Sequence, residues 1–130
     1  MAKPTLARLR KLCLSFPESS ERPSHGAPTF FFRGKRAFVM FLDNHHDDGR
    51  LALWCATPAA VQAMLVDAEP EHYFVPAYVG HLGWVGVRLD RKVAWGQIAS
   101  VVEQAYLNRA AGKGEGAVVR AKVQSGRRAR

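Results

Sequence analysis

The stretch Tyr73-Phe74-Val75-Pro76-Ala77-Tyr78-Val79-Gly80-His81-Leu82-Gly83-Trp84-Val85-Gly86-Val87-Arg88-Leu89-Asp90 decides how this chain is read. Aromatic and β-branched residues surround Pro76. Gly80 and Gly83 then lead into Trp84-Val85-Gly86-Val87-Arg88-Leu89, a run with the composition of a strand. A period of two sets Val85, Val87 and Leu89 on one face, and Trp84, Gly86 and Arg88 on the other. The first face suits a core. The second offers an aromatic ring, a bare backbone and a cation, and it admits two readings. Either Trp84 packs under a loop and Gly86 makes room for it, or Tyr78, Gly80, Gly83 and Trp84 form a shallow binding surface with Arg88 as an anion anchor.

Moving outward, Thr57-Pro58 reads as a helix start, with threonine at the N-cap and proline at the first helical position. Val61, Met64 and Leu65 give that helix its apolar face, and it ends near Asp67, before Pro70. On the other side Trp95, Ile98, Val101, Val102, Ala105 and Tyr106 recur at helical spacing, which predicts a helix over 94–110 with Gly112 ending it. Further upstream lie three strand-like runs: Leu51–Ala56, Arg36–Leu42 and Thr29–Arg33. Gly34-Lys35 between the last two fits a two-residue type II′ hairpin. Residues 18–28 carry prolines, glycine, serines and charges, and read as a connecting loop. Leu6, Leu9, Leu12, Cys13 and Phe16 predict an amphipathic helix over about 5–15, ended by Pro17.

The order is therefore helix, three strands, helix, two strands, helix. Strands joined by short antiparallel connections and segregated from helices give an α+β, two-layer domain with a five-stranded antiparallel sheet and three helices. The chain has 130 residues, a length that suits one domain, and its 48% hydrophobic content is enough for one core. The expected division is a domain over 1–112 and a flexible basic tail over 113–130, linked by Gly112-Lys113-Gly114-Glu115-Gly116. Every apolar run is too short to span a bilayer. Arg8, Arg10 and Lys11 interrupt the N-terminal apolar pattern that a signal peptide needs. A cytoplasmic protein without a membrane partner is expected. Cys13 and Cys55 each sit in an apolar segment and read as buried free thiols.

The net charge is +8, and residues 112–130 carry +5 of it, with six basic residues against Glu115. A basic balance points toward polyanions, but here it belongs mostly to the tail. One segment resembles metal chemistry. Asp43-Asn44-His45-His46-Asp47-Asp48-Gly49 holds histidines and carboxylates, although adjacent residues of an extended segment point apart and the composition is that of a turn. His72 and His81 stand alone and read as structural. No catalytic constellation emerges, and no cofactor is expected.

These pieces together resemble the MmcQ/YjbR family. The resemblance rests on Leu14-Ser15-Phe16-Pro17-Glu18, His25-Gly26-Ala27-Pro28-Thr29-Phe30 with Arg33-Gly34-Lys35, Tyr73-Phe74-Val75-Pro76-Ala77-Tyr78, Gly83–Asp90, and Ala105-Tyr106 in the closing helix. It covers about residues 5–112. It implies a compact fold similar to type III secretion chaperones, with three helices and a five-stranded antiparallel sheet. It also implies DNA binding, the description the family carries, and it supplies no catalytic residues.

Three functional readings follow. The first is nucleic-acid binding by Arg33, Lys35 and Arg36 at the hairpin tip, with Arg88, Arg91 and Lys92 after the last strand, neutralising phosphates without base readout. It requires the two clusters to share a face. The second is a binding module for a protein, a second copy or a small ligand, through Tyr78, Gly80, Gly83 and Trp84. The third is a metal-dependent enzyme using Asp43, His45, His46, Asp47 or Asp48, which requires three ligands to converge. The first is the primary expectation.

Overall fold

The computed structural model describes residues 2–44 and 49–111. Helix α1 spans Ala2–Leu14. Strands β1 (Ser19–Ser24), β2 (Ala27–Phe32), β3 (Arg36–Asp43) and β4 (Leu51–Cys55) follow. Helix α2 is Ala59–Ala68, β5 is Tyr73–Phe74, a single 3-10 turn covers Gly80–Leu82, β6 is Val85–Arg88 and α3 is Trp95–Ala110. Every pairing is antiparallel, and the sheet order is β1-β2-β3-β4-β6-β5.

The α+β class and the three helices agree with the sequence reading. The sheet, however, has six strands where five were expected. The added strand is β1, inside the segment read as a loop. Its sequence, Ser-Ser-Glu-Arg-Pro-Ser, has no strand composition. It is ordered by its partner instead: His25 and Gly26, both at positive φ, make a tight turn that lays Ser19–Ser24 along β2. An edge position tolerates Pro23. Arg10 of α1 clamps Glu21 of β1 through Nε at 2.9 Å and Nη2 at 2.9 Å.

The next hairpin also differs in detail. Lys35 N–H donates to Phe32 O, so the central residues are Arg33 and Gly34, at φ 53° and 67°. Positive φ at both positions is a type I′ geometry, in place of the type II′ turn on Gly34-Lys35. Thr57 does not cap α2 either. The helix starts at Ala59 with Pro58 before it, and the Thr57 hydroxyl donates to Gly83 O instead.

The helix-facing side of the sheet is defined by aligned rows: Val39, Cys55 and Val85, then Phe41, Leu53, Val87 and Tyr73. All seven are buried. A bulge near Phe31 turns Phe38 toward the same side, where Tyr106 of α3 meets Phe32 and Phe38 edge-on and stacks on Phe16 at 4.6 Å. The Tyr106 hydroxyl donates to Pro17 O, and burial pushes its pKa up to about 12. Tyr106→Phe, which keeps the ring and deletes that bond, is expected to cost about 0.5–1.5 kcal/mol in urea unfolding. An unchanged midpoint would mean that the hydroxyl contributes nothing. Cys13 and Cys55 are free and buried, and burial raises both thiol pKa values.

Candidate interaction surface

The second sheet face carries the row Thr29, Met40, Trp54, Gly86 and Phe74 across five strands. Gly86 is no bare backbone here. A Cβ at Gly86 would overlap the Phe74 ring, which fills the place a side chain would take. The Arg50 guanidinium covers the same ring, 4.1 Å from its centroid. Gly86 thus makes room for Phe74, and Trp84 is buried independently of it.

Within Tyr78–Trp84, Gly80, Gly83 and Trp84 are buried, while Tyr78 is 68% exposed. The reason is local. Gln62 of α2 donates from Nε2 to Gly80 O at 2.8 Å and to Trp84 O at 2.6 Å. Gly83, at φ 99°, lies so close to α2 that a Cβ would stand 2.9 Å from Ala59 N. The turn is therefore strapped to the first half of α2, which leaves Tyr78 and Leu82 facing outward. Val75 and Leu82 are exposed beside Tyr78, and Met64 of α2 is 60% exposed.

Helix α2 itself is the residue pattern that sequence reasoning passed over. Ala59-Ala60-Val61-Gln62-Ala63-Met64-Leu65-Val66 has one polar side chain, and it is used on the turn. A helix this apolar would ordinarily be enclosed, yet no residue of α2 is buried. At about 100° per residue, Ala60, Ala63, Met64 and Asp67 share the outward side. The absence of a polar face was the available signal. From residue 51 to residue 87 there is no lysine or arginine, while Asp67, Glu69 and Glu71 follow one another at the end of α2. In a chain of net charge +8, this is an apolar and acidic surface. Glu69 also accepts from Gln97 and contacts His72 Nδ1 at 2.8 Å, which gives His72 a structural place; His81 is exposed.

The basic residues are distributed otherwise. Arg33 makes paired bonds to Glu18, from Nε at 2.8 Å and Nη2 at 3.0 Å, and that guanidinium lowers the Glu18 pKa. Arg36 donates to Arg109 O, and Arg109 donates to Ala37 O, so both satisfy carbonyls where α3 meets β3. Cations at a helix C-terminus complement its dipole. Burial, then the charge of Arg36, lowers the Arg109 pKa. Arg88 makes paired bonds to Asp90, holding that carboxyl below its ordinary range. Lys35, Arg91 and Lys92 are exposed. The strand register also separates the clusters. Arg36 begins β3, whereas Arg88 aligns with Ala52 and Leu42 near the opposite end of β3. Six residues of strand put them about 20 Å apart along the sheet.

Of the metal-type segment, 45–48 lie outside the described residues. Its flanks form a turn, with Asn44 N–H donating to Arg50 O and Gly49 N–H to Asn44 Oδ1. Among the described residues, no group of three potential metal ligands converges, and no helix is long and apolar enough to cross a membrane.

An antiparallel sheet with α3 packed against one face defines this molecule as an α+β domain, and its second helix leaves apolar side chains exposed. The chain belongs to the YjbR family, which it matches over residues 14–108. No curated protein matches. A solved structure, that of Deinococcus radiodurans protein DR2400 with a DUF419 domain, superposes with a TM-score of 0.71 at 21% identity, covering 88% of this chain and 86% of that one. The likeness extends to the fold.

Proposed function

We propose that this protein is a non-catalytic binding module, and that the face formed by α2 and the Val75–Leu82 turn receives a polypeptide segment bearing apolar and basic side chains. One observation carries the reading: α2 is almost wholly apolar and buries no residue, and exposed Val75, Tyr78 and Leu82 stand on the turn that Gln62 ties to it. Apolar exposure of this kind supplies affinity when covered. Asp67, Glu69 and Glu71 at its end select the sign of the partner's charge.

The test titrates short synthetic peptides into isotope-labelled full-length protein, one set alternating valine with lysine and a matched set alternating valine with glutamate. The lysine set is expected to shift the Met64, Tyr78 and Leu82 signals, with affinity weakening as salt rises. Leu82→Asp is expected to weaken that binding by about tenfold, a loss of roughly 1.4 kcal/mol. Equal response to both sets, or shifts confined to other surfaces, would overturn the reading.

Nucleic-acid binding is the second reading, favoured by the exposure of Lys35, Arg91 and Lys92 and by the net charge of +8. It predicts anisotropy changes with labelled DNA and a steep salt slope. Lys35→Ala is expected to flatten that slope by about one counterion, and an unchanged slope would remove the hairpin tip from any phosphate contact.

A further inference from the structure

The binding face and the chain's own C-terminal segment have complementary chemistry. In the segment Ala117-Val118-Val119-Arg120-Ala121-Lys122-Val123 a period of two sets Ala117, Val119, Ala121 and Val123 on one side, and Val118, Arg120 and Lys122 on the other. Arg127, Arg128 and Arg130 follow it. A segment of this composition has one wholly apolar edge when extended, and its two cations both lie on the other. The face on α2 and its turn is apolar, and over residues 51–87 it lies in the part of the chain that has no lysine or arginine.

Position allows the two to meet. Near the end of α3, Asn108 Nδ2 donates to Ala56 O at 2.8 Å, which brings the last turn of α3 next to the connection that enters α2. Gly83 touches Ala59 at that same end, so the near edge of the apolar face is there. Beyond Ala111, residues 112–116 span at most about 17 Å when extended. That reach would let Ala117 approach Ala59, where α2 begins. From Ala59 to Asp67 the helix rises about 12 Å, a distance that Ala117 to Lys122 would cover at about 3.3 Å per residue. The apolar residues would then lie along Ala60, Ala63, Met64 and Leu82. Lys122 and the terminal arginines would reach Asp67, Glu69 and Glu71.

We infer that residues 117–130 of this chain are the resident occupant of the α2 face, held in cis by apolar contact and by charge at the acidic end of the helix. The inference rests on the proposed function, because it names the polypeptide that the face receives. Its consequence is competition: an external basic segment binds only by displacing the chain's own terminus, so affinity for any outside partner is set partly from within.

The test uses the full chain with a nitroxide on Ser125→Cys. Cys13 and Cys55 are buried with raised pKa values, so thiol labelling is directed to the new cysteine. When isotope and spin label are on the same chain, the Met64 and Leu82 methyl signals are expected to lose more than half of their intensity at low salt. An equal mixture of isotope-labelled chains and separately spin-labelled chains is expected to leave them sharp. Asp67→Lys combined with Glu71→Lys is expected to restore most of the lost intensity. Full-intensity signals in the first sample would overturn the inference. So would equal broadening in both samples, which assigns the face to a second copy, or broadening spread over the whole domain. If these signals stay sharp while the valine–lysine peptides still shift them, the face binds polypeptides and the C-terminal segment is not its occupant. If neither responds, both readings fall.

Discussion

Trp84→Ala is expected to lower stability by about 3–5 kcal/mol, the range for deleting a buried large aromatic, whereas Tyr78→Ala is expected to stay within about 1 kcal/mol. The two rings are six residues apart in one run of aromatics and glycines, yet they face opposite media. Trp84 is 7% exposed and belongs to the central core. Its carbonyl accepts from Gln62, so the ring is held at a fixed place behind α2. Removing it leaves a void that Gly83 and Gly86, each against a neighbour, give little means to close. Tyr78 projects from the turn and loses mainly solvent-facing area on truncation. Urea denaturation of both variants, with the slope compared to the parent, separates the two cases. A Trp84→Ala cost below 1 kcal/mol would mean that the indole does not pack as described. Its further use is functional: in peptide titrations Tyr78→Ala should reduce binding at undiminished stability, so any loss is attributable to the surface.

Much of the fold is legible in the sequence because its signals are local. The 3.6 period of Trp95 to Tyr106 and the alternation of Val85 and Val87 are repeated apolar choices, and each sits in the element it predicts. β1 is different. Its six residues hold no apolar side chain, and their strand geometry comes from Ala27–Phe32 alongside and from positive φ at His25 and Gly26. A polar edge strand takes its order from its neighbour, so its own composition is silent. The same distinction applies to the site. That Arg33, Arg36 and Arg88 are cations is written in the chain. That Glu18 faces Arg33 from fifteen residues away, or that Arg36 serves a carbonyl of α3, follows from tertiary closure. Counting charges therefore does not tell which cations already have partners within the fold. The α2 surface was the reverse case: its lack of a polar side was readable, but a helix apolar all round signals enclosure, and only the structure shows which part stays open.

Gly86→Ala should cost about 2–3 kcal/mol, a large penalty for one methyl group and in the range found for overfilled cores. The added carbon would overlap the Phe74 ring, which lies across the glycine from the neighbouring strand. A retreat of Phe74 would also disturb its contact with the Arg50 guanidinium, which lies over the ring 4.1 Å from its centroid. β5 has only two residues, so a shift of Phe74 disturbs half of that strand. The mechanism makes a sharper claim than the single variant. In a Phe74→Ala background the space is open, and Gly86→Ala should become nearly neutral or mildly stabilising through its lower unfolded-state entropy. The double-mutant cycle should then show a coupling of about 2 kcal/mol between these two positions, at the upper part of the range for residues in contact. Additive losses would mean that the glycine is required for its backbone alone. The cycle also bears on the binding face. Pro76 and the turn that presents Tyr78 and Leu82 leave directly from Phe74, so the Gly86–Phe74 contact fixes where that turn begins. Gly86→Ala should weaken peptide binding, and Phe74→Ala with Gly86→Ala should not restore it, because the second substitution removes the clash without replacing the ring that anchors the turn.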